Sequence, residues 1–165
     1  MIVTITLNPA IDKTASVESM IPEKKLRCSD LRIEPGGGGV NISKALAKLG
    51  RKSLAIFPSG GLNGQLLENF LAEVNIDFKS IPIAGQTRES FTVDESKTGA
   101  QYRFVLPGPT MSQEDIDRIF DALKSVHPTP TYIISSGSLP PGGPEDFFQK
   151  LGQIPTANRR NYDGA

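Results

Sequence analysis

Four consecutive glycines, Gly36, Gly37, Gly38 and Gly39, run directly into Val40-Asn41-Ile42-Ser43-Lys44-Ala45-Leu46-Ala47-Lys48-Leu49-Gly50. Backbone without side chains can approach a ligand closely. The first amides of a helix have no intrahelical partner, and the helix dipole adds partial positive charge there. Such a mouth suits a phosphate or the hydroxyls of a sugar. The alternative is a flexible linker, which usually lies between domains amid serine or charge. Here the run sits between an extended Arg32-Ile33-Glu34-Pro35 and an apolar-periodic helix. It is not a Walker A loop, because Val40-Asn41 stands where Lys-Ser/Thr would be needed. Nor does it match Gly-x-Gly-x-x-Gly, since Ile42 follows Val40-Asn41.

Other residues could join that chemistry. Asp12, in Asn8-Pro9-Ala10-Ile11-Asp12, falls just past an expected first strand. In parallel sheets, ligands bind beyond the carboxyl ends of strands, and a carboxylate there can accept two sugar hydroxyls. A turn or capping aspartate is the competing reading. Arg88 and Arg103 lie in the two arms of an expected hairpin. On one face they would grip a phosphate through paired N–H donors; otherwise they are solvated sheet arginines. Gly137-Ser138 follows a strand end and offers a hydroxyl and backbone amides, unless it is only a tight turn. The single cysteine, Cys28, reads as a packed small hydrophobe with no base suggested nearby. His127 sits at a helix end, where a catalytic role is not expected.

The elements that must position these residues follow from hydrophobic periodicity. Strands are expected over 2–7, 14–18, 27–34, 53–57, 78–83 and 131–135, and a hairpin over 89–94 and 100–106. Asn8-Pro9 ends the first strand, and 60–64 reads as a turn. Helices are expected over 40–49 (apolar stripe Val40, Ala45, Leu46, Leu49), 65–74, 112–126 and 144–151, with Ser112 as an N-cap. Alternating strands and helices predict an α/β fold, a mainly parallel sheet flanked by helices. The segments near 14–34 and 89–106 break that alternation and predict a small second sheet acting as a lid.

Composition narrows the function classes. The chain has 165 residues, 38% of them apolar and 22% charged, with a formal net charge of zero. One domain is expected, with no basic face for nucleic acid. No apolar run reaches the roughly 18 residues of a membrane span, and the N-terminal residues lack a signal-peptide pattern. A lone cysteine fits a reducing cytoplasm, and one His with one Cys makes a zinc site improbable.

Taken in order, Asn8-Pro9-Ala10-Ile11-Asp12, Pro35-Gly36-Gly37-Gly38-Gly39-Val40-Asn41, Gly60-Gly61-Leu62-Asn63-Gly64, Thr87-Arg88 and Gly137-Ser138-Leu139-Pro140-Pro141-Gly142 resemble the ribokinase-like PfkB family of carbohydrate kinases. The resemblance covers 1–151, and 152–165 is an atypical, polar tail. It is strongest to the minor-type ATP-dependent 6-phosphofructokinases. Fructose-1-phosphate kinases usually carry a lysine in the glycine run, where Gly38 stands here.

The resemblance implies a ribokinase-like fold. It implies that Asp12 holds sugar hydroxyls, that Gly36, Gly37, Gly38, Gly39 and Asn41 cradle the sugar, and that Arg88 and Arg103 reach its phosphate. Ser138 would line the sugar site, and Lys25 would lie near the lid and a homodimer contact. Mg-ATP is the expected cofactor of the complete enzyme, and fructose 6-phosphate the expected substrate. The family's Gly-Ala-Gly-Asp segment, which bears the catalytic aspartate, is absent from this sequence. The expectation is therefore a truncated kinase that binds no cofactor securely, contains no catalytic residue and is inactive alone. The alternatives are a non-catalytic sugar-phosphate binder, or a kinase of fructose 1-phosphate or tagatose 6-phosphate.

Overall fold

The computed structural model describes residues 1–157. Strand β1 (Ile2–Ile5) leads into β2 (Ala10–Val17) and β3 (Ser29–Gly36), followed by helix α1 (Gly38–Lys48). Next come β4 (Ser53–Ser59), α2 (Gly61–Glu73), β5 (Asp77–Pro82), β6 (Arg88–Glu95) and β7 (Gln101–Val105). Helix α3 (Gln113–Lys124), β8 (Tyr132–Ser135) and α4 (Phe147–Gly152) complete the order.

Four strands form a parallel sheet in the order β5-β4-β1-β8. Its two faces follow the two-residue period of a strand. Val3, Ile5 and Ile56 pack with Ile116, Ile119 and Leu123 of α3 and Phe147 of α4. Ala55 and Phe57 pack with Val40 of α1 and with Leu67 and Leu71 of α2. Helices thus cover both faces, as the alternating pattern predicts. Helix α3 starts at the expected cap: Ser112 Oγ accepts from the Asp115 N–H, and Asp115 Oδ2 accepts from the Ser112 N–H. This reciprocal pair satisfies two amides that the helix itself leaves open.

The second sheet, ordered β3-β2-β6-β7, is built from the two segments that break the alternation. Strand β2 begins at Ala10, so Asn8-Pro9 is a short corner between the sheets and Asp12 is a strand residue, neither a turn nor a cap. Register puts Asp12 opposite Glu34 and Ser90, and Thr14 opposite Arg32 and Thr92. Arg103 opposes Thr92, which puts it on the same face. The other face carries the charged Lys13, Glu89 and Glu95 among apolar residues, with Val93 buried and Phe91 and Phe104 in ring contact.

Several expectations need correction. Residues 60–64 are not a turn; α2 starts at Gly61, and Gly60 is its N-cap. Tertiary bonding draws the helix back: the Gly60 N–H donates to Thr87 Oγ1 (3.1 Å), the Thr87 N–H donates to Gly60 O (2.9 Å), and the Asn63 amide donates to Thr87 O. The buried stripe of α1 is Gly39, Val40 and Ser43, whereas Ala45 is exposed and Leu49 is 76% exposed. Ser43 faces the sheet because its hydroxyl meets Thr4 Oγ1 (2.7 Å) and Ser53 Oγ (2.9 Å). Cys28 is exposed, in a stretch with almost no buried residue, so it is not a packed hydrophobe. Of the expected tail, Ile154 packs against the core and the Ala157 N–H donates to Pro130 O; residues 158–165 lie outside the described residues.

The tip of the second sheet is tied by one carboxylate. Glu95 is 7% exposed and accepts from the Thr98 hydroxyl, the Met20 N–H (2.7 Å) and Tyr102 OH (3.4 Å). These bonds, led by that from Thr98, hold its carboxyl below the usual carboxylate range. A depressed folded pKa contributes stability that is present above the unfolded value and is lost as pH falls.

Two measurements check these attachments. Thr87→Val strands the Gly60 amide and is expected to lower unfolding free energy in urea by about 1–3 kcal/mol. For Glu95, the protection of amides 96–100 against exchange, relative to the intrinsic rate at each pH, is expected to fall as pH drops below about 4.3, the ordinary glutamate value. Glu95→Gln should abolish that acid-specific loosening; an unchanged profile refutes the tie.

Candidate functional site

Asp12 projects from β2 on the polar face of the second sheet. That face forms one wall of a cavity of about 460 Å³, whose lining includes Asp12, Thr14, Asn41, Ser90, Thr92 and Arg103. Asn41 reaches it from the first turn of α1. Three of the expected site residues, Asp12, Asn41 and Arg103, therefore meet in one space.

The glycine run underlies this wall, and contact explains it position by position. A Cβ at Gly36 would run into the Asp12 carboxylate. One at Gly38 would strike Ser136, and one at Gly39 the Ile5 carbonyl. Gly37 has φ of 113°, where side chains are strained. A linker has no such contacts, so that reading is set aside. The helix mouth is less open than the sequence suggests. The Gly39 N–H donates to Ser136 O (3.2 Å), the Val40 N–H to Thr6 Oγ1 (2.9 Å) and the Asn41 N–H to Gly37 O (2.8 Å). Most of the first-turn amides thus serve the fold itself.

Arg88 opens β6 opposite Ala10. Its Nε and Nη2 each donate to Asn8 O at 3.3 Å, and its Nη1 donates to Ser90 Oγ at 3.1 Å and Leu106 O at 3.4 Å. Partial burial pulls its pKa down, and the nearby Asp12 carboxylate opposes that. Arginine stays charged through such a shift. The guanidinium is held in place by long, weak bonds, so a phosphate that took it in a fork would displace some of them. Arg103 is exposed, and its Nε donates to Gln101 Oε1 (2.8 Å). Ser138 is exposed beyond β8, and its hydroxyl accepts from Asn8 Nδ2 (3.2 Å). Arg88 and Ser138 thus share Asn8 as a partner, and neither is among the residues that line the cavity.

Below Arg88, the sheet is rooted to α2. Lys13 Nζ pairs with Glu89 Oε1 at 2.9 Å, and the Asn63 amide donates to the same oxygen at 3.2 Å. The Lys13 bond is the main reason that the Glu89 carboxyl sits below its usual range. Sequence reasoning missed Thr6, Asn8, Ser90 and Ser136. Asn8 reads as punctuation before a proline, and the hydroxyls read as ordinary strand or turn residues. Only the Thr6 position, polar amid an apolar strand, carried a signal.

Among the described residues, no group of three or more His, Cys, Asp or Glu is placed to hold a metal ion. No helix among them is long and apolar enough to cross a membrane.

The chain is 45% identical over 153 residues to the ATP-dependent 6-phosphofructokinase isozyme 2 of Mycobacterium tuberculosis, covering 93% of this chain and 45% of that protein. It is 29% identical to the D-tagatose-1-phosphate kinase of Bacillus licheniformis, covering 96% of this chain and 51% of that one. The crystal structure of phosphofructokinase-2 from Escherichia coli in complex with fructose-6-phosphate matches with a TM-score of 0.84 and 35% identity. That match covers 91% of this chain and 49% of the solved one. The chain thus spans about half the length of the relatives it matches. A family model described as pfkB family carbohydrate kinase matches residues 1–163, and by that extent the chain belongs to the pfkB family of carbohydrate kinases.

Proposed function

We propose that this chain forms the sugar-phosphate site of an ATP-dependent 6-phosphofructokinase, an enzyme that converts ATP and fructose 6-phosphate to fructose 1,6-bisphosphate. The observation that carries the reading is the placement of Asp12, Arg88 and Arg103 on one face of the second sheet, above the glycine run and Asn41. Asp12 accepts two hydroxyls of the sugar. Arg88, from the root of the sheet, and Arg103, from its outer arm, bind the existing phosphate. Fixing that remote phosphate positions the free primary hydroxyl for reaction. Ser138 and the backbone at Gly37 and Gly38 close the sugar's other side. In the whole enzyme, Mg-ATP supplies the phosphoryl group. The 6-phosphofructokinase reading is favoured over a tagatose-phosphate kinase by the 45% identity to the 6-phosphofructokinase relative against 29% to the D-tagatose-1-phosphate kinase.

The assembly we propose is a homodimer through the second sheet, supported by its exposed apolar residues: Leu31 is 61% exposed and Phe104 48%. A cytoplasmic setting is the reading that an exposed, unpaired Cys28 supports.

Calorimetric titration with fructose 6-phosphate tests the site. Saturable binding is expected, with no phosphoryl transfer by these residues alone. Arg88→Ala removes charge-assisted bonds worth about 2 kcal/mol, a loss of about thirtyfold in affinity. Binding that survives Arg88→Ala, or turnover by the chain alone, counts against the reading. No binding by a folded chain overturns the reading that these residues form the site by themselves. For the assembly, light scattering is expected to show a dimer that Phe104→Asp converts to a monomer; a monomeric parent sinks it.

A further inference from the structure

We infer that Asn8 is a positioning residue that couples Arg88 to Ser138, and that the fold keeps it at a cost to its own stability. The inference rests on the sugar-phosphate reading of the site.

Asn8 occupies the corner between β1 and β2, where the two sheets meet. Its backbone oxygen accepts both Arg88 Nε and Nη2, at 3.3 Å each. Its side-chain Nδ2 donates to Ser138 Oγ at 3.2 Å. One residue therefore holds a cation that opens β6 of the second sheet and a hydroxyl that follows the last strand of the first. The connector after β7 completes the corner: Leu106 O accepts Arg88 Nη1, and a Cβ at Gly108 would run into Asn8 Oδ1.

The amide does this imperfectly. Asn8 Oδ1 is buried without a hydrogen-bond partner, one of two such side-chain atoms among the described residues, with Arg118 Nε. A buried acceptor with no donor is a net cost, because its bonds to water are lost and nothing replaces them. A side chain selected for stability alone would be smaller or apolar at this point. The half of the amide that is satisfied is the half on Ser138. That division fits a residue retained for what it orients. If Asn8 is shortened, Ser138 loses its partner and the corner under Arg88 loosens, while the orphaned oxygen disappears.

The signature separates this from a structural role. A merely structural residue loses stability on truncation and affects binding only through it. The test compares the purified chain with Asn8→Ala, Ser138→Ala and the double variant, by thermal melting and by titration with fructose 6-phosphate. The expected result is a melting temperature unchanged or raised in Asn8→Ala, with affinity lowered about tenfold. Ser138→Ala should cost clearly less in the Asn8→Ala background than in the parent, since the two share one bond. Additive losses overturn the coupling. So does full affinity in Asn8→Ala, a melting temperature lowered by several degrees, or failure of that variant to fold. If the parent does not bind fructose 6-phosphate, the sugar-phosphate reading fails first. Amide exchange then decides the coupling: faster exchange at 136–139 in Asn8→Ala sustains it, and unchanged exchange overturns it.

Discussion

The backbone of Gly36 through Gly39 lies so close to Asp12, to the end of β1 and to Ser136 beyond β8 that side chains have no room, and the candidate site rests on that approach. Helix α1 begins where the strand ends. Its Val40 amide is taken by Thr6 Oγ1 and its Gly39 amide by Ser136 O. These bonds fix the helix end-on over the parallel sheet. They also bring Gly36 beneath the Asp12 carboxylate, so the base of the second sheet is placed by the same contact. A methyl group at any of the four positions forces either the helix or the acid to move.

The second sheet has two faces with different tasks. One carries Asp12, Thr14, Ser90, Thr92 and Arg103 toward the cavity. The other mixes apolar residues with Lys13, Glu89 and Glu95 and is partly exposed at its outer strands. Its root is bonded to α2 through Thr87 and through the Asn63 amide on Glu89, while Glu95 ties its tip. Arg88 belongs to the root and is held by four contacts; Arg103 belongs to an exposed arm and bonds a neighbour on its own strand. The two arginines look alike in the sequence, yet the fold holds one in place through several partners and leaves the other on an exposed arm. Preorganised donors lose less freedom when they bind a phosphate.

The departures from the sequence reading share a cause. Residues 60–64 look like a turn because glycine and asparagine favour turns, but Thr87, a residue of a distant loop, takes the Gly60 amide and the helix starts there. Ala45 and Leu49 look like core because they are apolar at helical spacing, but Ser43 is the residue that meets the sheet, through two hydroxyls. In each case a long-range polar bond outweighs a local preference of a fraction of a kcal/mol.

The sequence by itself determined the alternation of strands and helices, the two segments that leave it for a second sheet, the cap of α3 and the glycine run that marks the site. These are local properties, written in periods of two and 3.6 residues and in the special conformations of glycine. Only the tertiary structure decided which polar groups meet. Asn8 lies 80 positions from Arg88 and 130 from Ser138, and no local pattern ties them. They converge because β1 is central, with β4 on one side and β8 on the other, so that the corner after β1 adjoins the loop after β8. Strand order is set by the burial of whole faces, which no segment of the chain encodes alone.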